Sequence, residues 1–381
     1  MAILMVGPGQ QFSTIHDAVN ASASGDTIEI QSGVYNDDFL TIRHNLTLWA
    51  LNGQVFMTAD QNAPNGKAII TEGGQGISVT IRGFDISGAR VTDNNGAAIR
   101  YEGGNLVLGH SYIHNNQEGL LATPPTNLFG RGDIVIGNSE FASNGDGSGF
   151  THNIYVGDVK QFTINASYIH DAIVGHEIKS RAETTIVTNN RIFDNTGSAS
   201  YSVDLPNGGN ATIKNNQIEQ GANSQNPFII AYGEEGGLHT GTTVDIEGNT
   251  IVNDRGGNSF VTLNPTTLAL PFINNKIFGL DANHLASGPL AESGTTFLAV
   301  RPKLNLNHLP LIANPLPPPP PPVTPMAQIF QNSAVTPNDF TAAATPAVAP
   351  QETQPTANAN AANSFTVFDI PALFAAMLHQ T

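Results

Sequence analysis

The sequence contains no cysteine. The fold therefore uses no disulfide and no thiolate metal site. Basic residues are scarce too: 15 Lys and Arg stand against 31 Asp and Glu, a formal net charge of −16. That balance argues against nucleic acid or an anionic membrane as the main partner. A polyanionic substrate would need a local basic patch. No apolar run approaches the length of a membrane span. The start, Met1 to Val6, is too short for a signal peptide and lacks a basic n-region. A cysteine-free, acidic, Gly/Asn/Thr-rich composition suits a secreted or cell-surface bacterial protein, and many cytosolic proteins share it; the chain is expected to be mature-numbered, exported by a route without an N-terminal signal, or not exported.

What is present is a repeat. Eight stations share a small polar pair, a variable residue and an apolar anchor: R-G-F-D-I, G-H-S-Y-I, G-N-S-E-F, N-A-S-Y-I, T-N-N-R-I-F, K-N-N-Q-I, E-G-N-T-I and I-N-N-K-I-F. The anchors Ile86, Ile113, Phe141, Ile169, Ile192, Ile218, Ile251 and Ile277 are spaced by 27, 28, 28, 23, 26, 33 and 26 residues. Short strands and Asn/Gly turns at a period in the twenties indicate a β-solenoid. The anchors are expected to point into its core. The preceding asparagines tolerate left-handed backbone angles, and Asn190, Asn216, Asn249 and Asn275 share one register, where they could form an internal ladder.

Upstream, Phe12, Ile15, Ala18 and Val19 fall at helical spacing with Ser13 as a candidate N-cap. A helix here would cover the open end of the solenoid. Strand-like pieces follow at Gly25 to Tyr35, Leu46 to Leu48, Lys67 to Ile70 and Ile77 to Ile81. Three regions are expected: a β-helix domain over 1–310, a Pro-rich linker over 311–330, and a low-complexity tail over 331–381 with a short terminal helix. Pro317 to Pro322 read as a stiff extended spacer. The Ala/Thr/Pro/Asn/Gln-rich stretch beyond reads as disordered. No Lys or Arg occurs after Lys303.

The run F-S-T-I-H-D-A-V followed by G-D-T-I-E-I-Q-S-G-V-Y resembles the opening segment of the pectin lyase-like superfamily. With the Asn-rich coils, the resemblance covers about residues 5 to 300. It implies an all-β fold: a right-handed parallel β-helix with an N-terminal helical cap. The superfamily spans lyases, hydrolases, esterases, epimerases, phage tailspikes and adhesins, so it implies carbohydrate chemistry only broadly. His176 to Arg181, H-E-I-K-S-R, is similar to the E-I-x-x-K-S element of β-helical alginate and chondroitin lyases, whose Lys is the proposed base. It is two residues shorter between Ile178 and Lys179. The stretch one coil on, Ser200 to Gly209, carries no arginine.

Aligning successive coils brings Ile154, Ile178, Val203 and Ile230 into one inward column. Side chains alternate along a strand, so Tyr155, Lys179, Asp204 and Ala231 form one outward column. Asn153, Glu177, Ser202 and Ile229 would form a second. His152, His176, Tyr201 and Phe228, at the strand starts, are expected to point inward as core residues. Glu177 and Asp204 would lie roughly 8 Å apart, a separation at which carboxylates act as acid and base in glycoside hydrolysis. In an elimination, Arg181 would neutralise a uronate carboxylate, Lys179 or His176 would be the base, and Tyr155 the acid. Asp204 and Glu177 beside Lys179 would hold it protonated, against a base role.

The candidate catalytic residues are thus Lys179, Asp204, Glu177, Tyr155, Arg181 and His176. Asn153, His152, Tyr201 and Glu234 are candidate substrate contacts. A cross-rung ladder that merely fixes register is the structural alternative. No cofactor or metal site is called for. The Glu234-Glu235 rim could contact sugar hydroxyls or bind Ca²⁺, or be a solvated turn. His110, His114 and His170 read as surface turn residues. A monomeric, carbohydrate-active protein acting on an acidic polysaccharide as lyase or hydrolase is expected. The alternative is a non-catalytic surface protein that binds glycans or acts as a spacer.

Overall fold

The short helix at Ile15–Ala21, α1, starts where Thr14 accepts a hydrogen bond from the Asp17 N–H at 3.1 Å. Thr14, not Ser13, is the cap. Phe12 is still paired with Val6 in a β-bridge, which leaves Ser13 outside the helix. Ile15, Ala18 and Val19 are buried against the first strands, so α1 closes the end of the core. The structure is a computed structural model and describes residues 1–124, 131–241 and 243–309. The expected linker at 311–330 and tail at 331–381 lie outside the described residues.

From Asp26 onward the chain winds through parallel strands. One coil shows the plan: strands Gln161–Asn165, Tyr168–His170 and Ile178–Ser180 are separated by corners. The first two belong to a wide sheet and the third to a ten-stranded sheet. Strands inside the stack pair in parallel with their equivalents one coil before and after, as at Gln161↔Thr184 and Tyr168↔Arg191. The chain is a right-handed parallel β-helix; right-handed winding is what the twist of L-residue strands favours for parallel crossovers. No helix among the described residues is long and apolar enough to cross a membrane.

The eight repeat anchors, Ile86 to Ile277, are fully buried and in register from coil to coil. Two residues divide the corner before each anchor. The first turns the chain with positive φ, as at Asn189 (57°), Asn215 (57°) and Asn274 (54°). The second is buried and hydrogen-bonds the next coil. The Asn190 N–H donates to Asn216 Oδ1 at 2.8 Å, the Asn216 N–H to Asn249 Oδ1 at 3.0 Å, and the Asn249 N–H to Asn275 Oδ1 at 2.9 Å. The ladder continues upstream through serines: the Ser111 N–H donates to Ser139 Oγ, Ser139 to Ser167, and Ser167 to Asn190 Oδ1. Buried backbone donors at these corners are thereby satisfied, which a dry core requires.

Candidate functional site

The ten-stranded sheet carries the inward column Ile154, Ile178, Val203 and Ile230 in one register. Beside it, Tyr155, Lys179 and Asp204 stand on successive rungs, as the alignment of coils expects. Arg181 follows the middle strand. Its Nε donates to the Tyr155 hydroxyl at 3.0 Å and its Nη1 to Asn207 Oδ1 at 2.7 Å.

The faces at the strand starts are the reverse of expectation. Asn153 and Glu177 are fully buried inside the solenoid. Asn153 Nδ2 donates to Glu177 Oε2 at 2.5 Å, and the Ala172 N–H donates to Oε1 at 2.9 Å. Burial and then Asp194 raise the Glu177 pKa well above the usual carboxylate range. Glu177 therefore ends an internal ladder that runs through Asn116, Asn144 and Asn153, and it does not pair with Asp204 on the surface. Ser202 and Ile229 are buried with it.

His152 and His176, conversely, lie on the side of Lys179. Their rings stack at 4.7 Å, His152 stacks on Tyr155 at 5.7 Å, and His176 meets Tyr201 at 5.0 Å. Alternation fails here because these residues belong to the corner; the strand itself begins at Ile178. The corner also fixes both tautomers. The His176 N–H donates to His152 Nδ1 at 2.9 Å, and the Tyr201 N–H to His176 Nδ1 at 3.2 Å. Burial, then His152 and the cations Lys179 and Arg181, push the His176 pKa well below its usual value, so the ring is neutral. Its proton is consequently on Nε2, 3.3 Å from Asp204 Oδ2. A ring with Nδ1 engaged and Nε2 protonated has no lone pair for a base.

A loop from Gly233 to Gly241, absent from the strand register, closes over this row. Glu235 Oε1 is 2.8 Å from Lys179 Nζ, and Oε2 is 2.5 Å from Arg181 Nη2. Lys179 also reaches Asp204 Oδ2 at 3.1 Å. Burial opposes the Lys179 ammonium, but Asp204 and then Glu235 outweigh it and raise its pKa. Lys179 is thus held protonated, against the base role in the elimination scheme. The Glu235 carboxylate, opposed by burial, is lowered by Lys179 and Arg181. Burial and then the adjoining Asp204 push Glu234 up to about 9. Carboxyl oxygens of Asp204, Glu234 and Glu235 lie within 4.8 Å of one another.

Asp204 itself is fully buried beneath this cover. Asn207 Nδ2 donates to the Gly236 carbonyl at 2.7 Å, and His239 Nε2 lies 2.9 Å from the Arg181 carbonyl, so both tie the loop down. Neither residue, nor Glu235 as a partner of Lys179, follows from strand alignment. The signal for the loop was the 33-residue spacing between Ile218 and Ile251, the longest in the repeat.

No family model matches the sequence, and no curated protein matches it. Solved structures do. A pectin methylesterase from Aspergillus niger aligns at 14% identity and a TM-score of 0.39 over 81% of this chain and 93% of that one. A mutant form of the PL6 family alginate lyase AlyGC aligns at 15% and 0.38 over 78% of this chain and 40% of that one. The pectin methylesterase PemA from Erwinia chrysanthemi aligns at 14% and 0.36 over 78% and 92%. No residue of the candidate site is carried across from them.

Proposed function

We propose that the face bearing Tyr155, Lys179, Arg181 and Asp204 receives an acidic polysaccharide. The observation that carries this reading is the seat of Glu235. Its carboxylate is bound by an ammonium and a guanidinium at once, on a loop flanked by Gly233, Gly236 and Gly237, all with positive φ. A uronate carboxylate offers the same two oxygens and would take that seat when the loop lifts. The rings of His152, Tyr155, His176 and Tyr201 supply a platform for the faces of neighbouring sugars. Such a substrate would place the protein outside the cell.

Cleavage by hydrolysis follows from the two carboxyl groups beside the cradle. Glu234 keeps its proton at neutral pH and is the acid; Asp204, ion-paired to Lys179, is the base or nucleophile. With their oxygens within 4.8 Å, no sugar fits between them until the loop opens. Elimination is less well served, because Lys179 is protonated and His176 has no free nitrogen. The test is a panel of uronate polysaccharides assayed for new reducing ends and for unsaturated products. Reducing ends are expected, with at least a ~100-fold loss in Asp204→Asn and Glu234→Gln. If the folded protein releases no product from any of them, the catalytic reading is wrong.

One observation favours a second, non-catalytic reading. Asp204, Lys179, Arg181 and Glu235 already neutralise one another, and Asp204 is out of contact with solvent. Uronate binding without turnover would identify the face as a glycan-binding surface. Neither binding nor turnover would leave a register-fixing ion ladder.

A further inference from the structure

After its last rung at Thr296–Phe297 the chain turns back and runs along the outside of the wide sheet as a strap, residues 298–309. Three contacts mark its path toward the N-terminal coils. Arg301 makes a forked ion pair with Asp254. Leu304 is buried among Tyr168, Phe193 and Val252. The carbonyls of Asn305 and Asn307 accept from Arg191, whose guanidinium lies over the Tyr168 ring at 4.1 Å. At the far end His308 arrives at Glu140.

Glu140 is fully buried, on the outward column of the wide sheet, and His170 stands one coil on. The surface-turn reading of His170 is therefore wrong: it is a buried strand residue. Glu140 Oε1, His170 Nε2 and His308 Nδ1 converge, each within 4.8 Å of the other two. Glu140 Oε1 is 3.1 Å from His170 Nε2. Three ligands on one tetrahedral zinc ion, with bonds of about 2.0–2.1 Å, stand about 3.3 Å apart. Reaching that figure asks the exposed His308 to move by at most about 1.5 Å relative to His170.

The second polar atoms of His170 and Glu140 are already engaged elsewhere. His170 Nδ1 is 2.6 Å from Asp171 Oδ2, and the Leu309 N–H donates to Glu140 Oε2 at 2.8 Å. A carboxylate on the far nitrogen of a ligand imidazole is the outer-shell arrangement that orients metal-bound histidines. Two imidazoles, one carboxylate and open positions toward solvent suit a first-row divalent ion.

We propose that Glu140, His170 and His308 bind a divalent first-row transition metal ion that fastens the C-terminal strap to the wide sheet. The site is on a different sheet from Lys179 and Asp204 and does not rest on the polysaccharide reading. Asp171 and the backbone of Leu309 position two of its ligands. Binding requires that the proton between His170 Nε2 and Glu140 leave for solvent, and that the proton on His308 Nδ1, directed at the same Glu140 oxygen, move to the other ring nitrogen or to solvent, so that each ligand nitrogen presents a lone pair.

The full chain, stripped with a chelator and dialysed, is titrated with Zn²⁺ by calorimetry. One equivalent is expected to bind. His308→Ala, a change at an exposed position that leaves the coils intact, is expected to weaken binding at least tenfold. His170→Ala should weaken it further. Trypsin gives the second readout. Lys303 is exposed, and cleavage after it releases a peptide beginning at Leu304. Zn²⁺ should slow release of that peptide at least fivefold in the native chain and not in His308→Ala. The proposal is overturned by absence of saturable Zn²⁺ binding, by unchanged affinity in both variants, or by peptide release at the same rate with and without Zn²⁺.

Discussion

At the scale of single residues, the corners decide whether the chain can wind at all. Asn216 shows the requirement: its Oδ1 accepts from the N–H and the Nδ2 of Asn190, and its Nδ2 donates to the Val187 carbonyl at 2.9 Å. Asn216→Ala strands these buried groups and is expected to cost about 2 kcal/mol in urea denaturation. Asn216→Ser keeps an acceptor for the Asn190 N–H, the task serine performs at 111, 139 and 167. It should recover about half of that loss. Equal losses in the two variants would mean that the backbone donor is not what the side chain serves.

A second residue-scale prediction concerns Glu72, which points into the core with both oxygens lacking a hydrogen-bond partner. Burial pushes its pKa from 4.5 to about 9, with Glu102 adding to the rise and Arg43 opposing it. The folded state therefore holds this proton more tightly than the unfolded chain. Its contribution to stability is fully present below about pH 4.5 and is lost as pH rises toward 9. The slope for one such group is roughly 1.4 kcal/mol per pH unit. Glu72→Gln should flatten the decline in unfolding free energy between pH 5 and 8 by an amount of that order. Melting curves of both proteins at the two pH values check it; an unchanged slope in the variant would show that Glu72 is ionised in the fold.

At the scale of elements, the strands and the asparagine corners before the anchors were legible, and the other segments between strands were not. The anchors from Ile86 to Ile277, and the register of Ile154, Ile178, Val203 and Ile230, follow from repeat spacing because each rung must bury the same face. Period-two alternation then assigned His176 and Glu177 to the wrong sides, since it continues only while the backbone stays extended. Both precede the strand that starts at Ile178. Glu235 and His308 meet their partners through the Gly233–Gly241 loop and the strap. Neither has an equivalent on other coils, so alignment of coils has nothing to compare.

The loop is the element on which function turns. Glu235→Gln removes the internal carboxylate from the Lys179–Arg181 seat and leaves both cations unpaired on that side. Affinity for a polyuronate should rise severalfold in this variant, most clearly at low ionic strength. Arg181→Ala should lower it. Equilibrium binding of both proteins to one polyuronate decides the matter. A loss of affinity in Glu235→Gln would show that the loop carboxylate holds the cradle in shape instead of occupying it.

At the scale of the whole molecule, strand contacts pass between neighbouring coils, with the strap at 298–309 and the Gly233–Gly241 loop reaching further, and the two ends of the described stack differ. Ile15, Ala18 and Val19 of α1 seal the first coils. The last strands, Leu290–Ser293 and Thr296–Phe297, are mostly exposed. In a one-dimensional stack, damage is felt by the nearest rungs and fades along the axis. Ile15→Ala opens a cavity under α1 and is expected to cost about 2–5 kcal/mol locally. Hydrogen exchange followed by mass spectrometry should then quicken in strands Asp26–Asn36 and Leu46–Thr58. Val203–Leu205 and Phe228–Tyr232 should keep their protection. In the native chain, amides of the last two strands should exchange before those of any coil between Ile134 and Asn253. Uniform acceleration in Ile15→Ala would mean that the solenoid opens as one cooperative unit, and the candidate site would then share the fate of its N-terminal cap.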